Sequence, residues 1–487
     1  MTLSTALRSA SSSLLSTSQQ AAVTSRNIAG IGDANYIRRE VQVVTGLHGS
    51  TRVEVQRNVD QALYDSSILA NSRYAKSNAI SGTLDRLAIY QELNNFSQSP
   101  SNLLSSLKAA TEFAAATPAD ASGLNSLVEN ARDFANSLNA SYTQVLESKA
   151  QIDSDINASV QTINTKLAQL EDLNDQIVDG TRLGDDVFDQ MDARDKIIND
   201  LSDEIGVNVI YREDNDAMLT LNNGVILFDR QARQVEFQPM PAYGASTQGN
   251  HLTVDGVAVT GVDSRMPIYT GAIAGHIEVR DTHLNRQQVQ LDEIARGLIE
   301  AYAEQDQVGG GKPALAGLFT WDGGPGVPNS GILSPGIAGS LKVNELVDPT
   351  NGGNVTLLRD GAINGDNDYL SNTAGGVSFA DRLYELSAGF DSARTFDAIS
   401  GLGSGISLQE YADQSLDQFN ASRQSARDNT SYLSDLATGF KESLQNENGP
   451  NLDYEMSRLL EIERAYQATA KIISAVDGML EDLMQVV

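Results

Sequence analysis

Two apolar stripes at helical spacing, one at each end of the chain, constrain this sequence more than anything between them. From Leu3 a 4-3 frame runs Leu3, Leu7, Ala10, Leu14, Thr17, Ala21, Thr24, Ile28 and Ile31, with seven of nine positions apolar and two Thr. From Leu452 the frame runs Leu452, Met456, Leu459, Glu463, Tyr466, Ala470, Ile473, Asp477, Leu480, Met484 and Val487, with nine of eleven apolar. Such segments predict helices of roughly 45 and 55 Å at 1.5 Å per residue. A stripe so narrow is marginal alone in water and has to be covered by another helix. The first segment carries only Arg8 before Arg26, and its other faces are Ser, Thr, Gln and Ala, which permit close approach on every side. Burial in one globular domain is the competing reading for one stripe alone. With two, the economical arrangement pairs the ends with each other and with copies of themselves.

Between the ends the period changes repeatedly. Val41, Val43, Val53 and Val55 alternate with polar residues around Gly46 and Gly49, which predicts a hairpin. Residues 59–204 are poor in Pro and Gly and hold a heptad run at Ile156, Val160, Ile163, Leu167, Leu170, Asn174 and Ile177. At Gly206 the period becomes two: strands are expected at Val207–Tyr211, Met218–Leu221 and Val225–Phe228 around a turn at Asn222-Asn223-Gly224, and strand signals run to about Val279. A helix is expected over about 282–306, a Gly-rich loop insert from 309 to about 376, and a capping box at Ser407–Glu410 opens helices that break only at Asn448-Gly449-Pro450.

This predicts a mixed, mainly α, elongated multi-domain protein with paired, coiled-coil-like terminal helices, a long-helix domain and β-rich central inserts. The expected domains are 1–40 with 450–487 as a terminal helical unit; 41–204, 281–307 and 396–449 as a helical body; 205–280 as a β-rich insert; and 308–395 as a Gly-rich loop and β insert.

Charge and motif searches narrow the function. With 64 acidic against 34 basic residues and a net charge of -30, the chain lacks the basic face that nucleic acid or an anionic membrane needs. No apolar run approaches the ~20 residues of a membrane span, and the N-terminus has no cationic start or continuous apolar stretch of a cleaved signal. No cysteine is present, which excludes disulfides, thiol nucleophiles and Cys-based zinc sites. His48, His251, His276 and His283 have no metal-ligand spacing. Gly309-Gly310-Gly311-Lys312 fails as a phosphate loop because Pro313 follows the lysine. Gly401–Gly405 fails as a hydrolase elbow because Leu402 stands where that motif needs glycine, and Asn364–Asp368 lacks the glycine at the sixth position and the closing Glu of a calcium loop. No catalytic, cofactor or metal site is therefore expected.

Two terminal stretches go beyond periodicity. Asn27-Ile28-Ala29-Gly30-Ile31-Gly32-Asp33-Ala34-Asn35-Tyr36-Ile37-Arg38 resembles the N-I-A-N-A-N-T-P-G-Y-S-R segment of bacterial flagellar axial proteins, with Asn27, Ile28, Ala29, Tyr36 and Arg38 matching; Gly30, Ala34 and Asn35 depart from it. Asn451-Leu452-Asp453-Tyr454-Glu455-Met456, Leu459-Leu460, Ala465-Tyr466-Gln467-Ala468 and Ile472-Ile473-Ser474 resemble the C-terminal signature of the hook-associated protein 1 family.

The resemblance implies an extracellular structural protein at the hook–filament junction, exported from the cytoplasm by the flagellar type III route. The partners it implies are hook protein, hook-associated protein 3, copies of the same chain and a cytoplasmic export chaperone. The expected assembly surface is Leu3, Leu7, Leu14, Ile28, Tyr36, Leu452, Met456, Leu459, Tyr466, Ile473 and Leu480. The chaperone is expected on Leu459, Tyr466, Ile473 and Leu480. Alternatives are another flagellar axial protein, either hook protein or hook-associated protein 3, or a secreted acidic adhesin or enzyme on a helical stalk.

Overall fold

The computed structural model describes residues 3–33, 35–45, 51–93, 100–261 and 264–486, so Ala34 and the expected hairpin tip with Gly46, His48 and Gly49 lie outside the described residues. The first helix, α1 (Leu3–Ala29), is followed by an antiparallel pair, β1 (Arg39–Thr45) and β2 (Thr51–Arg57), in which Val41 faces Val55 and Val43 faces Val53, as the alternation predicts. Four helices follow: α2 (Gln61–Leu93), α3 (Pro100–Ala116), α4 (Ala121–Leu183) and α5 (Phe188–Glu204). The 63 residues of α4 make a rod of roughly 95 Å. Asp120 caps its start by accepting from the Ser122 N–H, and Gly184 ends it at φ 78°. The predicted heptad is its buried seam, from Ile156 through Ile177. Asn174, the polar member, is used: its amide donates to Asp216 (2.8 Å) and accepts from the Ala217 N–H (2.9 Å), fixing the small sheet against the rod.

That sheet is antiparallel, with β3 (Val207–Tyr211), β4 (Ala217–Leu221), β5 (Ile226–Asp229) and β6 (Gln231–Ala232) in order, and Gly224 at φ 86° turns β4 into β5. A three-stranded patch follows: β7 (Val235–Glu236), β8 (Thr253–Val254) and β9 (Val257–Ala258). Strand was expected to continue to about Val279. Instead Ala272–Glu278 is helix α6, which runs through a π-helical turn at Val279–His283 into α7 (Leu284–Ala301). The reason lies in packing. A Cβ on Gly275 would meet the Lys76 carbonyl at 2.4 Å, so this glycine lets α6 press directly onto α2. Within the π-turn, buried Arg280 pairs with buried Asp153 of α4 (2.8 Å).

The Gly-rich insert has more order than a loop. It carries β10 (Phe319–Thr320), α8 (Ile337–Ser340), β11 (Lys342–Val343), α9 (Leu357–Asp360) and α10 (Asp381–Asp391) around Tyr302, Phe319 and Phe390, whose rings meet edge to face. Two sequence features that failed as ligand loops are self-satisfied here: Asp306 accepts backbone N–H groups of Val308 and Lys312, and the Lys312 ammonium lies between Asp366 and Asp368 (both 2.6 Å). The chain then enters α11 (Leu408–Asn448) through the predicted capping box, with both Ser407–Glu410 bonds made. Helix α11 lies along α2, where Asp85 receives Arg423 and Arg427. After Gly449-Pro450, α12 (Leu452–Val486) leaves the body and packs lengthwise on α1, the end-to-end pairing that the two stripes demand.

Candidate assembly joint

The terminal pair is tied to the body by a small constellation built from both recognised stretches. At the end of α1, buried Asn27 donates to the Arg39 carbonyl (3.0 Å), accepts the Arg39 N–H (3.1 Å) and accepts the Tyr36 hydroxyl (3.0 Å). One side chain thus folds the Gly30–Arg38 turn back on the helix and starts β1. The Tyr36 ring lies on Gly30, where a Cβ would sit 2.5 Å from it, so the glycine that departs from the family pattern is required by this ring position.

Two residues later, Arg38 joins the ends of the chain. Its backbone N–H donates to the Asn448 carbonyl (2.7 Å), and its guanidinium donates to Glu455 (2.8 Å) and Glu40 (2.8 Å) and lies 4.5 Å over the Tyr454 ring. The Glu455 side chain is 2% exposed. Burial works against the Arg38 charge, but Glu455 and Glu40 outweigh it and hold the guanidinium above its usual range. The body meets the hairpin through a second cluster: Arg39 pairs with Asp189 and Asp192, and Arg57 with Asp192 (2.7 Å) and Asp195 (2.6 Å), all three acids on α5. Burial pushes Asp192 up to about 6 against the pull of both arginines.

The expected interface residues divide by side. On α1, Leu7, Leu14 and Ile28 are half-buried beside buried Ala10, Thr17 and Thr24, so the predicted frame is the covered one; the Leu3 side chain lies outside the described residues. Tyr36 is half-buried in the joint. On α12 the frame needs correction. The buried line is Glu455, Ile462, Thr469 and Val476, with Leu459, Ile473 and Leu480 half-buried alongside. Met456 (44% exposed), Tyr466 (46%) and Leu452 face away, together with Leu460, Ile472 and Met479. The frame was right at Leu459, Ile473 and Leu480 but placed the intervening positions one residue late, at Met456, Glu463, Ala470 and Asp477. Its two charged members were the available signal: moving Glu463 and Asp477 back by one gives Ile462 and Val476, both apolar, while the same shift puts Glu455, the partner of Arg38, in the buried line. Sequence reasoning also treated Asn27, Arg38 and Glu455 as letters of a motif and missed that they bond across it. Asn448 was read only as part of the helix break, not as a partner of Arg38.

The two chain ends return as one paired stalk, and residues 451–486 of that stalk match the flagellar basal body rod FlgEFG protein C-terminal family. Residues 88–315 match the helical domain of flagellar hook-associated protein FlgK, so this part of the chain is similar to the hook-associated protein 1 family. It is 24% identical to flagellar hook-associated protein 1 of Escherichia coli over 294 residues, covering 59% of this chain and 53% of that one. The Salmonella typhimurium protein of the same name is 25% identical (58% and 52% covered), and that of Bacillus subtilis 22% (72% and 68%). The chain spans about half the length of the two enterobacterial relatives it matches. The solved flagellar hook junction protein FlgK from Burkholderia pseudomallei is 21% identical, with a TM-score of 0.42 over 53% of this chain and 46% of that one. Among the described residues, no helix is long and apolar enough to cross a membrane.

Proposed function

We propose that this chain is a structural adaptor at the hook–filament junction of the bacterial flagellum, with the α1–α12 pair as the part that enters the axis. One observation carries the reading: α12 satisfies α1 with one line of residues yet keeps Leu452, Met456, Leu460, Tyr466, Ile472 and Met479 exposed on the rest of its surface. An apolar surface of that extent is a contact surface awaiting neighbours. Its occupants are copies of the same chain, hook protein and hook-associated protein 3. The contact set comprises Leu3, Leu7, Leu14, Ile28 and Tyr36 with Leu452, Met456, Leu459, Tyr466, Ile473 and Leu480. No reaction is assigned to it.

Export through the flagellar type III apparatus and capture by a cytoplasmic chaperone belong to the same proposal. Leu459, Ile473 and Leu480 are half-covered by α1, so a chaperone using them with Tyr466 takes α12 before it packs on α1. The test is a deletion strain viewed by electron microscopy. Retained hooks with filament subunits shed into the medium are expected. Normal filaments would overturn the reading.

A further inference from the structure

A cleft of about 330 Å³ opens where the foot of the body meets the joint, between the Asn35–Ile37 turn, α2, α5 and the last turns of α11. Ile37, Ile68 and Leu444 form its apolar wall. The one carboxylate in its lining is spent: Asp195 holds Arg57 and the Tyr211 hydroxyl, and its carbonyl accepts from Tyr64. Two cations and a buried amide donor stand beside it. Lys196 and Lys441, both exposed, line the cleft and take part in no ion pair among the described residues, Lys441 acting on Asp203 only from a distance. The Asn448 amide, on a side chain that is 3% exposed, lines the same cleft with its Nδ2 buried and without an acceptor. Buried donors are nearly always partnered, so an orphan beside two free cations marks a place for an arriving acceptor.

We propose that this cleft receives the acidic distal third of α12 from a second copy of the chain. The inference rests on the assembly role above and specifies its contact. Over Ile472–Val486 that helix carries Asp477, Glu481 and Asp482 and no base, with Ile472 and Met479 exposed among them. Asp477 and Glu481 stand one turn apart on one face, able to reach the ammonium groups and the amide while the apolar neighbours settle on the wall of the cleft. The volume admits side chains, not a helix backbone, so the helix lies across the mouth. Copies charged at -30 repel one another in general, which makes a basic concavity the place where acidic copies can meet. The surface is continuous with the joint, since Arg38, Asn448 and the start of α12 border it. Asp477 lies roughly 40 Å along α12 from Leu452, so the donor copy is displaced by about that much along the axis.

The test uses the full chain in a deletion strain. Lys196→Glu with Lys441→Glu should leave the thermal melt unchanged but reduce incorporation into hook–filament preparations at least tenfold, and adding Asp477→Lys with Glu481→Lys should restore it. Unchanged incorporation, or a loss that the reversal does not repair, overturns the proposal. A second readout uses the cysteine-free background. Lys441→Cys with Glu481→Cys should give a ladder of multimers when assembled material is treated with a bis-maleimide, and no ladder in assembled material would refute the contact. If a chain lacking 452–486 still restored motility, the assembly role itself would fall. Failure of the charge and cross-linking variants alone leaves that role standing.

Discussion

Replacing Arg38 with Ala should release α12 from the joint without unfolding the body. The substitution strands Glu455, whose side chain is 2% exposed and whose strongest partner is the Arg38 guanidinium at 2.8 Å. Breaking a fully buried pair costs about 3–5 kcal/mol. Arg38 is 18% exposed and water can approach from its side, so about 2–3 kcal/mol is the better figure here. The Arg38 N–H bond to Asn448 survives because it is backbone. At about 1.4 kcal/mol per decade, amide exchange across α12 should accelerate by roughly 30- to 150-fold. Exchange in the α4 seam should stay as it was. Hydrogen exchange read by mass spectrometry resolves the two regions in one experiment. Arg38→Met with Glu455→Met, which removes both charges, should recover most of the protection, because an apolar pair strands nothing. Unchanged exchange over residues 452–482 in Arg38→Ala would refute the view that this ion pair fastens the stalk.

Other consequences follow from burial and charge. Leu167→Ala, in the fully buried α4 seam, should destabilise the body by about 2–5 kcal/mol in denaturant melts, whereas Leu183→Ala, on an exposed side chain, should change it by less than about 0.5 kcal/mol. Burial raises Asp203 to about 6, so the folded state binds its proton more tightly than the unfolded chain; the native advantage is complete below about pH 4 and is lost as pH rises through about 6. Asp203→Asn should therefore stabilise the protein relative to wild type more at pH 7.5 than at pH 5, and equal differences in melting temperature at the two values would contradict it. Tyr466→Ala with Ile473→Ala should weaken export-chaperone binding at least tenfold by calorimetry, and deletion of 452–486 should abolish it; undiminished binding by the deletion places the chaperone on the body.

Elements set by local chemistry were legible in the sequence. The Ser407 capping box, the Gly224 turn and the break at Gly449-Pro450 each depend on neighbours within a few residues, the Val41–Val55 pairing on one short hairpin, and each appears in the fold. The α4 seam was legible because one heptad phase stays buried along most of a 63-residue helix. Helix α6 was not: strand signals were extended to about Val279, and the close approach of Gly275 to α2, a contact about 200 residues away in the chain, is what presses this segment onto α2 as a helix. The phase of α12 was hard to read because it is apolar on more than one side, one for α1 and one left open. The joint depended on bonds between residues more than 400 positions apart, such as Arg38 and Glu455, which no local window contains.

The central claim is that the open side of α12 becomes buried in the flagellar axis, and the absence of cysteine allows a direct measurement. Single variants Met456→Cys, Ile472→Cys and Met479→Cys, with Leu183→Cys as the body control, can be labelled with a maleimide in the free chain and in purified hook–filament assemblies. All four positions are exposed in the isolated chain. The account predicts that assembly slows labelling at least tenfold at the three α12 positions and leaves Leu183→Cys unaffected. Equal labelling rates in free and assembled protein at Met456→Cys, Ile472→Cys and Met479→Cys would contradict it.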